Sequence, residues 1–137
     1  PYVAAPGGWK TGNYWANARA LAEARREGCR DAVLVAPHGE VVSGATSNLF
    51  AVIRGRLVTP RIESGARPGV IREWVLARAG GEEAVLDPSA MVEAEEVFLT
   101  NSRGGIVSVA AIDGRAIPGR DCAQWLALAY RDEILHG

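Results

Sequence analysis

Apolar and polar positions along the chain follow two periods, and the period changes several times. Residues 13–27 place Tyr14, Ala18 and Leu21 at helical spacing in an Ala-rich stretch that Gly28 stops, which predicts a helix. DAVLVAP (31–37) is a short apolar run ending at the turn HGE and predicts a strand. VVSGATSNLFAVIRGRLVTP (41–60) predicts a strand, a Gly-containing bend and a hairpin turning at Arg54-Gly55-Arg56. Pro68 and Gly69 open a second helix, VIREWVLARAG, with Gly80-Gly81 at its exit. Residues 83–86 then predict a strand and DPSAMVEAE a short helix. EVFLTNS (96–102) predicts a strand, and IVSVAAIDGRAI a strand pair around Asp113-Gly114. DCAQWLALAYRDEIL predicts an amphipathic helix with Trp125, Leu128 and Ala129 on its apolar side. Irregular alternation with several hairpins predicts an α+β fold. A mixed sheet or pseudo-barrel with flanking helices suits it better than a doubly wound parallel sheet.

Composition narrows the class. A chain of 137 residues, 48% apolar and 23% charged, is long and apolar enough for one domain with its own core. A net charge of −1 offers no field to attract nucleic acid or an anionic membrane, and no apolar run spans a bilayer. The start, PYVAAPGGWK, has neither an initiator Met nor a signal-peptide layout, so the expectation is a chain that begins inside a longer protein. Cys29 and Cys122 form no metal spacing or disulfide framework and are expected as small apolar fillers in a reducing, cytoplasmic setting. Trp9, Trp15, Trp74 and Trp125 are expected mostly in the core, and His38 and His136 in solvent. The acidic run Glu93, Glu95 and Glu96 is expected as a solvated helix end, and no metal site is expected.

Candidate chemistry starts from an imbalance: the chain has 14 Arg and a single Lys, Lys10. Arg neither loses its proton readily nor condenses with an aldehyde, whereas Lys does both. Lys10 precedes the first helix with Tyr14 one turn away, so an amine and a phenol can share a pocket. SGARPGVIR (64–72) sets a Gly-bearing helix N-terminus, where free backbone N–H groups and the positive end of the dipole attract an anion. LTNSRGG (99–105) ends a strand in hydroxyls and small residues that suit an oxyanion or phosphate cradle.

Together and in this order, KTGNYWANARALAEAR, VVSGATSNLFAVIRGRLVTP, SGARPGVIRE and EVFLTNSRGGIVSV resemble the class IV aminotransferases, over Lys10 to about Val109. These are fold type IV pyridoxal-phosphate enzymes and include branched-chain and D-amino-acid aminotransferases and aminodeoxychorismate lyase. The resemblance implies that residues 1–137 are the large C-terminal cofactor-binding domain, with the family's small N-terminal domain outside this chain. It implies pyridoxal 5′-phosphate as cofactor and a homodimer with the cofactor near the interface. Lys10 matches the lysine that forms the Schiff base with the cofactor aldehyde. Tyr14 matches a tyrosine near the phenolic oxygen. Val70 and Ile71 match positions that offer backbone N–H groups to the phosphate, and Ser102 a hydroxyl residue that also binds it. Asn48 matches the asparagine of the SN-x-F block.

Two positions depart from the family pattern. Ser43 lies where relatives carry the glutamate that keeps the pyridine nitrogen protonated. A serine there offers only a hydrogen bond, and Glu40, an odd number of residues away, faces the other side of a regular strand. Arg67 lies where relatives place a leucine on the ring face, and an Arg can stack there or bind a carboxylate. The TNS-x-x-G form at 100–105 resembles the lyase branch, which implies conversion of 4-amino-4-deoxychorismate to 4-aminobenzoate and pyruvate, a step of folate biosynthesis. Two alternatives stay open: a D-amino-acid or branched-chain aminotransferase, and a cofactor-fold protein without catalysis, given Ser43 and Arg67.

Overall fold

The computed structural model describes the backbone of residues 2–3 and 13–136 and the side chains of residues 17–136. Ten strands and four helices follow one another as β1 (Tyr2–Val3), α1 (Asn13–Arg26), β2 (Val33–Val35), β3 (Val41–Gly44), β4 (Asn48–Ile53) and β5 (Arg56–Pro60). Then come α2 (Val70–Ala79), β6 (Glu82–Ala84), α3 (Pro88–Val92), β7 (Glu96–Asn101), β8 (Gly105–Ser108), β9 (Ala111–Ile112), β10 (Arg115–Ala116) and α4 (Asp121–His136). A five-stranded sheet has the order β6-β5-β4-β7-β8, a second sheet the order β1-β2-β3, and β9 and β10 form a small hairpin. Both larger sheets are mixed: β1–β2 and β5–β6 run parallel and the other pairs antiparallel. The α+β class with a mixed sheet and flanking helices is therefore as expected.

The turns form where the sequence supplies residues that tolerate positive φ. Arg54 (φ 52°) and Gly55 (φ 75°) close the β4–β5 hairpin, so the turn is two residues and Arg56 already belongs to β5. Gly80 leaves α2 in the left-handed region at φ 69° and donates its N–H to Leu76 O.

Strand alternation sorts the core into layers. On β4, Leu49 and Ala51 meet Val35, Val41, Met91 and Val97 between the two sheets. Phe50 points the other way and stacks on its register partner Phe98, with ring centroids 5.1 Å apart, beneath Ile71 and Val75 of α2 and Ala123 and Leu126 of α4. On the outer side of the smaller sheet, Ala20 and Ala24 of α1 cover Leu34, Val42 and Ala45. The order is thus α1, small sheet, large sheet, then α2 with α4.

Several side-chain placements differ from the sequence expectation. On α4 the buried residues are Ala123 and Leu126, while Trp125 and Leu128 are 52% and 60% exposed. The inward face packs against the flat Phe50–Phe98 pair, which admits a small residue and a leucine. Trp125 instead lies outside beneath the Arg78 guanidinium, 5.8 Å from its ring centroid. Trp74 is half-buried, edge-on to Tyr130. Trp9 lies outside the described residues, as does the side chain of Trp15. Cys29 is exposed in the turn after α1 rather than filling a core gap. Cys122 is partly buried, and burial, with the Glu96 charge, pushes its thiol up and disfavours the nucleophilic thiolate.

The acidic run is not a solvated helix end. Glu93 ends α3 in solvent, but Glu95 accepts the Gly55 N–H at 3.0 Å. Glu96 is 5% exposed and accepts the N–H groups of Cys122 (3.1 Å) and Ala123 (2.7 Å), capping α4 from a distant strand. Glu96→Ala removes both bonds and orphans one buried and one partly buried donor. Stability is expected to fall by roughly 2–4 kcal/mol, measurable by urea unfolding, and Glu96→Gln, which keeps an acceptor, is expected to fall less.

Candidate functional site

Four segments far apart in sequence converge on a cavity of about 520 Å³. Asn17, Ala18 and Leu21 of α1 form one wall, and Ser43 with the β3–β4 turn, Gly44 to Asn48, forms another. The approach to α2, Arg67 to Arg72, and the end of β7, Thr100 to Ser102, complete it. Five of the sequence-predicted site residues, Ser43, Asn48, Val70, Ile71 and Ser102, are therefore neighbours. Lys10 lies outside the described residues. Tyr14 lies in the first turn of α1, with its side chain also outside them.

The α2 end of the cavity is built for an anion. The first helical bond runs from Glu73 N–H to Gly69 O, and Gly69 supplies no side-chain cap. The preceding N–H groups of Val70, Ile71 and Arg72 are left to a ligand or solvent. The starts of α3 and α4 are treated differently: Asp87 caps α3 by accepting Ala90 N–H, and Glu96 caps α4. A free N-terminus at the cavity carries the positive end of the helix dipole.

Sheet register sets the floor beneath this helix end. Asn48 and Thr100 are paired one step beyond the stacked pair Phe50 and Phe98, on the same face. Asn48 Nδ2 donates to Arg67 O at 2.7 Å and fixes the approach to α2. Thr100 is 1% exposed, and its hydroxyl has no hydrogen-bond partner. Arg72, 2% exposed, donates to Pro60 O (3.2 Å), Glu73 (2.7 Å) and Glu83 (2.7 Å), while its Nε is buried without a partner. Asn101 Oδ1 accepts the N–H groups of Arg103 and Gly104, turning the chain after β7 so that exposed Ser102 borders the cavity.

The opposite wall is held by Asp31, which the sequence reading passed over. Its carboxylate accepts Ala32 N–H (2.8 Å), Ala45 N–H (2.9 Å), Thr46 Oγ1 (3.3 Å) and Ser47 Oγ (2.9 Å), fixing the β3–β4 turn. Asn17 ties α1 to that turn through Ala45 O. Ser43 is buried, and its hydroxyl donates to Gly44 O at 2.8 Å. Glu40 is not among the cavity residues. It accepts the Ser64 hydroxyl and pairs with Arg61 (3.5 Å) and His38 (3.4 Å). The Ser64 hydrogen bond, helped by the Arg61 and His38 charges, holds its carboxyl below the usual range. Asp31 and the support role of Arg72 escaped detection because their partners come from other segments. The Ser-Thr-rich turn after Gly44 was the one local signal for Asp31.

Gly69 is required by close approach: its backbone is extended (φ −152°), but a Cβ there runs into Asn48 Oδ1. Gly69→Ala must displace either Asn48 or the α2 start. Anion affinity at the site is expected to fall roughly tenfold to a hundredfold, measured by titrating the protein with pyridoxal phosphate.

Such an anion cradle beside the end of a mixed sheet has relatives. Residues 3–112 match the amino-transferase class IV family, and the chain belongs to it. A Thermotoga maritima protein, provisionally named a branched-chain-amino-acid aminotransferase, is 40% identical over 93 residues, 63% of this chain and 34% of the relative. The branched-chain aminotransferase of Thermoproteus uzoniensis, solved with norvaline, superposes with a TM-score of 0.84 at 29% identity, over 96% of this chain and 50% of that one. A Legionella pneumophila structure, provisionally named a 4-amino-4-deoxychorismate lyase, shares the fold with a TM-score of 0.84 at 24% identity, over 96% of this chain and 55% of that one. The chain thus spans about a third of that curated relative and half of the solved chains. Class IV aminotransferases are pyridoxal-phosphate enzymes, and a solved relative from Thermobaculum terrenum is in the cofactor-bound form.

The donor set fits that cofactor's phosphate. A free helix start and a bordering Ser102, with the unpartnered Thr100 hydroxyl on the same wall, are complementary to a dianion.

Proposed function

We propose that this chain is the cofactor-binding large domain of a pyridoxal-phosphate enzyme acting on α-amino acids, with amino transfer as its reaction. The observation that carries the reading is the uncapped start of α2 facing Ser102 and Thr100 across one cavity. In this reading the N–H groups of Val70 and Ile71 and the Ser102 hydroxyl hold the phosphate. Asn48 keeps the approach to α2 in place through Arg67 O. Ser43 meets the ring nitrogen with a hydroxyl, and Tyr14 lies toward the phenolic oxygen. Lys10 supplies the amine that anchors the cofactor and, once released, moves the proton of the substrate α carbon. When bound, the cofactor supplies an aldehyde and an electron-withdrawing ring that stabilises negative charge at that carbon.

Amino transfer is preferred because the curated relatives are named as branched-chain aminotransferases. Elimination of pyruvate from 4-amino-4-deoxychorismate is the second reading, favoured by Thr100-Asn101-Ser102 at the end of β7. The remaining part of the site comes from a small N-terminal domain outside this chain and from a second subunit of a cytoplasmic homodimer.

The test is one preparation of the chain joined to its N-terminal domain, loaded with cofactor and given three assays: amino transfer from branched-chain L-amino acids, amino transfer from D-alanine, and pyruvate release from 4-amino-4-deoxychorismate. Transfer from an amino acid to an oxo acid supports the first reading, and pyruvate release supports the second. Cofactor uptake with silence in all three assays supports a non-catalytic cofactor fold. Failure to take up the cofactor removes the proposal altogether.

A further inference from the structure

The charges around the cavity do not balance. Among the described residues that line it there is no Asp or Glu and there are two cations, Arg67 and Arg72. Arg72 is neutralised, with Glu73 and Glu83 each 2.7 Å from its guanidinium. Arg67 is exposed, and no carboxylate pairs with it among the described ion pairs, whereas Arg56 and Arg61 are both paired. Its main chain is nevertheless anchored: its carbonyl accepts Asn48 Nδ2, and Pro68 follows it. A tethered backbone thus places an arginine with no carboxylate among the described ion pairs at the border of a cavity whose described lining carries no acid.

We propose that Arg67 is a specificity-determining residue that binds a second carboxylate, selecting ligands that carry two. The inference rests on the cofactor-enzyme reading above. The uncapped start of α2 and Ser102 provide for one oxyanion, the phosphate, without Arg67. A planar guanidinium with paired donors is matched to a carboxylate, and the pair is strongest where water is partly excluded. A ligand with one carboxylate leaves Arg67 to solvent; a dicarboxylic amino or oxo acid uses it.

The experiment measures binding of two unreactive acids of equal chain length, glutarate and valerate, to the cofactor-loaded protein by calorimetry. Cofactor affinity is measured in parallel from absorbance. Wild type is expected to prefer glutarate by roughly tenfold to a hundredfold. Arg67→Leu is expected to erase that preference and Arg67→Lys to retain part of it. Equal binding of the two acids to wild type, or a preference that survives in Arg67→Leu, overturns the inference alone. A fall in cofactor affinity with the glutarate preference intact assigns Arg67 to the phosphate and likewise overturns it. A wild-type protein that takes up no cofactor removes the underlying reading and this inference with it.

Discussion

Lys10→Ala is expected to abolish the absorbance band near about 410–430 nm that a carbon–nitrogen double bond between the chain and pyridoxal phosphate produces. Activity is expected to fall roughly a thousandfold or more with it. The argument is chemical. Condensation with an aldehyde needs an amine that can shed its proton, and every other basic side chain except the two histidines is an arginine. A guanidinium stays protonated and does not condense, so Lys10→Arg is expected to behave like Lys10→Ala. The phosphate donors proposed above are other residues, so both variants are expected to bind the cofactor non-covalently. Borohydride treatment followed by peptide mass mapping separates the two modes: wild type carries the reduced cofactor on the peptide containing Lys10, and the variants carry none. A band that persists in Lys10→Ala would falsify the assignment.

The elements were legible where a single local rule governs them. Gly28, Gly80 and Gly114 stop or turn the chain at positive φ, as their flanking sequence predicts. The tight β4–β5 hairpin follows from Arg54-Gly55. Which face each element buries was less legible. In NLFAVI, residues Leu49, Phe50 and Ala51 are all fully buried, because β4 is central and covered on both sides. The period of two is then invisible, and nothing local distinguishes the face that meets the small sheet from the face beneath α2. On α1 the buried face is Asn17, Ala20 and Ala24, whereas Ala18 and Leu21, chosen for their spacing, border the cavity. A helix with many alanines has several faces of similar hydropathy, and packing selects among them.

At the site, the sequence showed the parts whose chemistry is local. A Gly-rich helix start and a strand ending in hydroxyls announce anion binding wherever they fold. It did not show the supports. Thr100 becomes significant only through its register with Asn48, and Glu96 only because β7 delivers it to the start of α4, 26 residues on. The Glu96 partners are fixed by tertiary structure, so composition and spacing give that carboxylate the bland reading of a solvated residue. The cavity juxtaposes Ser43 and Arg67, the two positions where the resemblance implies a glutamate and a leucine in relatives. Serine takes negative charge away, and arginine adds positive charge. The two changes act in the same direction and make the described cavity more receptive to anions.

Arg72→Ala is expected to have a large effect on stability. Its guanidinium joins three elements: the end of β5 through Pro60 O, β6 through Glu83, and its own helix through Glu73. Glu83 also accepts Ile62 N–H at 3.2 Å, so the same network holds the turn leading toward α2. Truncation leaves Pro60 O without this donor and a void the size of a long side chain at 2% exposure. The abandoned carboxylates are less costly than in a fully buried pair, because the Glu73 and Glu83 side chains are 63% and 44% exposed and water can reach them. The expected loss is about 2–4 kcal/mol, a large part of the stability of a domain this size. Arg72→Lys recovers only part of it, since one ammonium cannot span all three acceptors.

The loss depends on pH in a direction the structure fixes. The Arg72 hydrogen bond, followed by Ile62 N–H, holds the Glu83 carboxyl below its ordinary range in the folded chain. A depressed carboxylate contributes stability above its unfolded value and loses it as pH falls through the folded one. Wild type therefore loses this contribution on acidification, and Arg72→Ala, which lacks its main cause, has little of it to lose. The difference in stability between the two proteins is expected to narrow from neutral pH into the acid range, measured as urea midpoints at each pH. A gap that stays constant across that range would assign the Arg72 effect to packing alone and remove Glu83 from it. Cofactor affinity, measured at a temperature where both proteins are folded, is expected to fall in the variant as well. The start of α2, whose N–H groups are the proposed phosphate donors, is the segment that Arg72 ties to β5 and β6.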